Sequence, residues 1–171
     1  MTKHPRERNL TATVTFLAMD NRPAGPPPPR PMLKVAIMRA EQTPAHFYRY
    51  LYDKIGRDYY WVERLTWDDD ELKKMLHDSR VHLYVLYVGG VPAGFAECDF
   101  RKESSGYIAY FGLTPEFIGR RIAPWFLNQI VELCWVQPIS KLLVNTCTLD
   151  HPRALPLYQR GGFTEIGRAH V

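Results

Sequence analysis

A chain of 171 residues, 46% hydrophobic and 23% charged, has room for one globular domain with a real core and none for a second. Its net charge of +4 is not gathered into basic blocks, which argues against a nucleic-acid surface and suits a polyanionic cofactor equally well. Cys98, Cys134 and Cys147 form no CxxC pair, and no run approaches ~20 apolar residues or makes a signal-peptide core, so a soluble cytoplasmic protein without metal or membrane contact is expected.

Residues 1–8 are polar and basic and are expected to fray. Over 11–19, Ala12, Val14, Phe16 and Ala18 alternate with threonines, which predicts an added edge strand with one face half-buried. The run PAGPPPPRP at 23–31 lacks ladder donors and predicts an extended linker, with a ligand for an SH3-type domain as the alternative. Residues 1–31 thus form a tail, a strand and a linker ahead of one domain over 32–171. A strand follows at 33–39. Phe47, Leu51 and Ile55 predict a helix over 44–55, and Thr66 with Asp69 opens a second one carrying Leu72, Met75 and Leu76. Between them DYYWVERLTW joins Tyr48, Tyr50 and Tyr52 in a dense aromatic patch.

Apolar runs at 81–88 and 91–101 flank Gly89-Gly90 and predict a hairpin with a two-residue turn. In its second strand Ala93, Phe95, Glu97 and Asp99 share one face, so two carboxylates sit side by side, while Gly94, Ala96, Cys98 and Phe100 share the other. Residues 107–113 are apolar on both faces, as in a strand buried on both sides, and Thr114-Pro115 stops them. Beyond Gly119, the positions Ile122, Trp125, Phe126, Ile130, Leu133 and Cys134 recur at helical spacing, so a helix starts near Arg120 or Arg121. Ile118, Gly119, Arg120, Arg121, Ile122 and Ala123 then form a candidate anion cradle, with unpaired N–H groups at the positive end of a helix dipole. Neither GxxxxGK(S/T) nor GxGxxG is present, which excludes a Walker loop and a dinucleotide fingerprint. A buried strand over 141–149 completes a parallel crossover, expected right-handed. Asp150 or His151 can cap a last helix with Pro152 at its first position, and Gly161-Gly162 ends it before a closing strand at 163–170. Pro156, about one turn inside, would cost roughly 3 kcal/mol unless the helix bends.

Together, the strand, loop and helix at 107–135 and HPRALPLYQRGGF at 151–163 resemble the GCN5-related N-acetyltransferase superfamily, and the resemblance runs over 33–168. The family's loop pattern Q/R-x-x-G-x-G/A falls on Ile118, Arg121 and Ala123, of which Ala123 is kept. Its last motif, N-x-x-A-x-x-L-Y-x-x-x-G-F, is matched by Ala154, Leu157, Tyr158, Gly162 and Phe163, with His151 in place of the asparagine. The resemblance implies a single-domain α/β acyl-CoA N-acyltransferase fold: a mixed, mostly antiparallel sheet of six or seven strands, helices on both faces and two splayed parallel strands. It implies acetyl-CoA as co-substrate, with its pyrophosphate on the cradle, a further contact from His151, and an acceptor site bordered by the aromatic patch.

Acetyl transfer to an amine needs a neutral amine, a held oxyanion and a proton for the departing thiolate. Freeing the lone pair of an alkylammonium with pKa near 10.4 costs about 4.6 kcal/mol at pH 7, so a base is worth having. Glu97, near the end of a strand flanking the central one, is the candidate, with pairing to an arginine as the alternative. Backbone N–H groups over Phe111, Gly112 and Leu113 can hold the oxyanion, Gly112 leaving space for the thioester arm. The resemblance makes Tyr158 the acid that protonates the thiolate, against the alternative of a tyrosine in the helix core. The expected activity is transfer from acetyl-CoA to a primary amine by direct attack, with Cys147 packed and not acylated. A CoA-binding regulatory module without turnover is the alternative, and a homodimer stays open.

Overall fold

The computed structural model describes residues 9–171, and the basic stretch expected to fray lies outside them. Seven strands make one sheet: β1 Thr13–Met19, β2 Val35–Ala40, β3 Val81–Val88, β4 Val91–Asp99, β5 Ser105–Leu113, β6 Lys141–Cys147 and β7 Thr164–His170. Their spatial order is β2-β3-β4-β5-β6-β1-β7, and every pair is antiparallel except β5 with β6. Helices α1 Ala45–Gly56 and α2 Asp69–Leu76 share one apolar cluster with Val81, Leu83, Val85 and Phe95. Helices α3 Ala123–Trp135 and α4 Ala154–Arg160 belong to the larger cluster, with Leu86, Ala96, Cys98, Ile108 and Val144. The alternation of β3 and β4 sends successive side chains to these two clusters, so the hairpin is the partition between two cores. Among the described residues no helix is long and apolar enough to cross a membrane.

Several local expectations shift. The first strand is not an edge: β1 pairs with β6 on one side and β7 on the other, and the true edges are β2 and β7. Thr15, Leu17 and Met19 are buried on one face, while on the face expected to be half-buried Ala18 is buried and Phe16 is 40% exposed. Threonine is as good a strand former as valine, so alternation located the strand without telling which face the core would take. In β4 the register slips at Ala93, since Gly94 stands opposite Leu86 and Pro92 opposite Tyr87. That bulge takes Ala93 off the Phe95–Glu97 face and into the α3 core.

Helix starts lie later than spacing suggests. The cap of α2 is Asp68, whose Oδ1 accepts the Glu71 N–H at 2.8 Å, while the Thr66 hydroxyl instead donates to the Glu63 carbonyl at 2.7 Å. Helix α3 begins at Ala123 and not at Arg120 or Arg121. Helix α4 begins at Ala154, so neither Asp150 nor His151 is its cap and Pro156 falls in the first turn. There its missing N–H has no partner to lose, and the expected penalty vanishes. Gly162, at φ +106°, ends the helix as its sequence position suggests, and Phe163 N–H closes on the Tyr158 carbonyl at 3.0 Å.

Candidate active site

The parallel ladder between β5 and β6 runs only from Ser105 opposite Lys141 to Ile108 opposite Val144. Both strands continue, to Leu113 and Cys147, without pairing further. The cause lies on the other edge of β5. Against β4, Tyr110 stands opposite Glu97 and Ile108 opposite Cys98, which leaves Ala109 as an extra residue at the point where the parallel pairing ends. A bulge bends its strand, and here it opens a wedge toward β6. Thr114 N–H bonds the Ala93 carbonyl on β4 at 2.8 Å. The alternation of strand N–H groups therefore turns those of Phe111 and Leu113 toward the wedge, and that of Gly112 away from it. Asn145 on β6 donates to the Tyr107 hydroxyl at 2.8 Å, fixing the floor. From the wedge a cleft of about 1940 Å³ extends past the N-terminus of α3 and along α4.

The expected cradle forms one end of this cleft. Ile118, Gly119, Arg121, Ile122 and Ala123 line it, while the Arg120 guanidinium lies 5.2 Å from the Phe117 ring centre. Among the described residues the backbone N–H groups of Gly119, Arg120, Arg121, Ile122 and Ala123 find no acceptor, and the first helical bond is Phe126 N–H to Ile122 carbonyl at 2.9 Å. Unpaired donors at a helix N-terminus fit a pyrophosphate. Gly119 has φ +81°, and Arg121 has φ +59°, a left-handed conformation that costs an L side chain roughly 1 to 2 kcal/mol. The position given to glycine in the loop pattern is thus a glycine position by conformation, held here by an arginine.

Tyr158 stands on α4 with its ring edge-on to Phe111 and Phe163, at centroid distances of 6.3 and 6.0 Å, and lines the cleft at 6% exposure. Burial, with Asp150 adding to it, holds its pKa well above the usual phenol value, so it keeps its proton at neutral pH. His151 also lines the cleft; its Nδ1 accepts the Arg153 N–H at 3.1 Å and its ring meets Tyr59 edge-on. Gly112 lines the cleft, but the space its missing side chain leaves belongs to α1: a Cβ there would stand 2.5 Å from Ile55 Cγ2. Room for helix packing, and not for a thioester arm, explains this glycine.

Glu97 is absent from the cleft lining and 1% exposed. One of its oxygens accepts from the Tyr48 hydroxyl and the other from Arg64 Nη2 at 2.8 Å. This geometry is that of the alternative, an ion pair with an arginine, and Asp99 likewise pairs with Arg101. The carboxylates near the wedge that do line the cleft are Glu63 and Asp150. Glu63 accepts from the Tyr110 hydroxyl at 3.2 Å, and Asp150 accepts from Trp61 Nε1 at 3.2 Å, from Thr146 Oγ1 at 2.8 Å and from Cys147 N–H at 2.9 Å. Tyr52, Tyr59, Trp61 and Tyr110 form the wall between them. Sequence reading had the aromatic patch but saw Glu63 only as loop and Asp150 only as a cap. The segment 23–29, expected as a plain linker, also lines the cleft, at its α3 side. No three His, Cys, Asp or Glu side chains among the described residues are grouped to hold a metal ion.

A family model described as Acetyltransferase (GNAT) family matches residues 47–163. Among solved structures, a GCN5-related N-acetyltransferase from Sphaerobacter thermophilus superposes with a TM-score of 0.70 at 16% identity, over 92% of this chain and 50% of its own. A putative acetyltransferase of the GNAT family from Novosphingobium aromaticivorans gives 0.63 at 15% identity, over 94% and 63%. Aminoglycoside N-acetyltransferase AAC(6′)-Iy in complex with CoA gives 0.60 at 16%, over 80% and 92%. The chain spans half to somewhat under two thirds of the length of the first two. At such identities the likeness establishes the fold. No curated protein matches.

Proposed function

Because the chain belongs to the acetyltransferase (GNAT) family, whose model matches residues 47–163, we propose that it moves the acetyl group of acetyl-CoA to a primary amine by direct attack. The observation that carries this reading is the wedge between β5 and β6, which opens beside inward-turned N–H groups and leads to a cradle of unpaired donors. Acetyl-CoA supplies a thioester, an acyl group activated toward an amine nitrogen. In this reading the N–H groups of Gly119, Arg120, Arg121, Ile122 and Ala123 hold the pyrophosphate, Arg121 adds its charge, Ile118 borders the loop and His151 contributes a ring nitrogen.

The N–H groups of Phe111 and Leu113 hold the oxygen that gains negative charge as the nitrogen adds to the carbonyl carbon. Glu63 takes over the basic role first sought in Glu97, since it lines the cleft with its side chain 66% exposed and accepts one hydrogen bond, from Tyr110, with Arg64 Nη1 3.6 Å from its other oxygen, whereas Asp150 accepts three. It accepts the proton that the ammonium must lose. As the C–S bond breaks, Tyr158 gives its proton to the sulfur and regains one from the nitrogen, through water, so that an amide and a free thiol result. The free Cys98, Cys134 and Cys147 support a reducing compartment, the cytoplasm, as the setting.

Thiol release from acetyl-CoA, followed with and without a panel of primary amines and checked by mass spectrometry of the amine, tests the proposal. Amine-dependent release with one acetyl gained per thiol is expected. Tight acetyl-CoA binding without transfer to any amine would leave a CoA-binding regulatory module instead.

A further inference from the structure

The cleft is electrically polarised. At the cradle and along α4 its lining side chains include Arg121, Arg153 and Arg160. Across the wedge the charged lining is Glu63 and Asp150. Of the cations beside that wall, Arg57 is tied to Asp53, and Arg64 is shared by two carboxylates, Glu97 at 2.8 Å and Glu63 at 3.6 Å, which leaves one negative charge uncompensated; Asp58 adds a further one beside Tyr59. Between the two carboxylates lie aromatic faces, with the Trp61 and Tyr110 rings 4.9 Å apart and Tyr52 and Tyr59 beside them. Each carboxylate is tethered to one end of this wall, Glu63 through the Tyr110 hydroxyl and Asp150 through the Trp61 indole. Aromatic faces between separated negative charges attract alkylammonium groups and repel carboxylates.

We infer that the acceptor is a small aliphatic amine bearing two positive charges, a diamine or polyamine, lying along the Trp61–Tyr110 wall with one charge toward Glu63 and the other toward Asp150. This rests on the acetyl-transfer reading and names the amine class for it. A single ammonium would leave one carboxylate of the wall unmatched, and a carboxylate on the substrate would be opposed by both.

The test compares amines that share a chain and a reacting group and differ only at the far end: 1,4-diaminobutane, butylamine and 4-aminobutyrate, then 1,8-diaminooctane against octylamine. At one chain length or the other, kcat/KM for the diamine should exceed that of the monoamine by about fivefold or more, the scale of one partly exposed ion pair. The difference should lie in KM, and 4-aminobutyrate should be poorest. Asp150→Asn, checked for an unchanged Tm, should bring the diamine-to-monoamine ratio toward one, because Asp150 faces the charge that the monoamine lacks. Glu63→Gln, which meets the reacting nitrogen common to both substrates, should lower kcat for both and leave that ratio in place. Equal kcat/KM for diamine and monoamine at both lengths, or a preference for 4-aminobutyrate, overturns the inference. If nothing is acetylated although acetyl-CoA binds, the transfer reading fails, and calorimetry of the same amines decides the recognition alone: tighter binding of the diamine supports it, and equal or no binding overturns it.

Discussion

Arg64 and Glu97 meet at 2.8 Å with side chains only 9% and 1% exposed, an ion pair that ties the loop after α1 to the middle of the sheet. The Arg64 guanidinium also lies over the rings of Trp67, at 4.2 Å, and Tyr110, at 5.4 Å. Removing one partner of such a pair leaves an uncompensated buried charge at a cost of about 3 to 5 kcal/mol, more than the pair itself adds to stability. Glu97→Gln should therefore lower stability by that order in denaturant titration while kcat of the folded protein changes little. A loss of several hundredfold in kcat at unchanged stability would restore Glu97 as the base.

Arg121→Gly removes a side chain from a left-handed position, and should raise stability by roughly 1 kcal/mol. If its guanidinium also faces the pyrophosphate, the same change weakens acetyl-CoA binding, most at low salt, so stability and affinity move in opposite directions. Tighter binding at every salt concentration would remove Arg121 from the site. Gly119→Val is expected to weaken both, since valine resists φ +81°.

What sequence pattern located and what it missed divide along the range of the contacts involved. The Gly89-Gly90 turn, the α1 stripe of Leu51 and Ile55, and the Gly161-Gly162 helix end are local devices, and each stands within a residue or two of its expected place. The interior position of β1 depends on strands that lie more than a hundred residues away in sequence, and alternation carries no record of a second neighbour. The bulge at Ala109, which opens the wedge, has no residue signature, because alanine fits a bulge as readily as a strand. The acidic, aromatic side of the cleft closes through Trp61 and Asp150, 89 positions apart, so neither residue announces the other. Gly112 was legible as a place needing room, but only the packing of Ile55 tells for what.

His82 is buried on β3, its Nδ1 3.3 Å from the Tyr84 hydroxyl and its Nε2 3.1 Å from the Ser79 carbonyl. Burial, aided by Arg39, lowers its pKa from the ordinary value, so the fold favours the neutral ring. A lowered folded pKa contributes stability that is full above about 6.5, the unfolded value, and lost as pH falls toward the folded one. Stability should accordingly decline as pH falls below about 6.5, and His82→Gln should flatten that slope while lowering stability at pH 7. An equally steep slope in the variant would assign it to other groups.

Tyr158 carries the most direct test of the chemistry. Its ring fills a place between Phe111 and Phe163 that phenylalanine fills equally well, and among the described residues its hydroxyl takes part in no hydrogen bond. Tyr158→Phe should therefore leave Tm and acetyl-CoA affinity nearly unchanged. If the hydroxyl protonates the thiolate, kcat falls by about 10² to 10⁴-fold, the usual contribution of a positioned acid, and KM moves little. The raised pKa adds a second signature: the wild-type alkaline limb should not fall near pH 10, where an ordinary phenol ionises, because burial keeps this one protonated beyond it. A thiol analogue of lower pKa as leaving group should narrow the gap between Tyr158→Phe and wild type, since a better leaving group needs its proton less. A variant that keeps kcat would mean that water returns the proton and that the tyrosine serves only to pack α4 against Phe111.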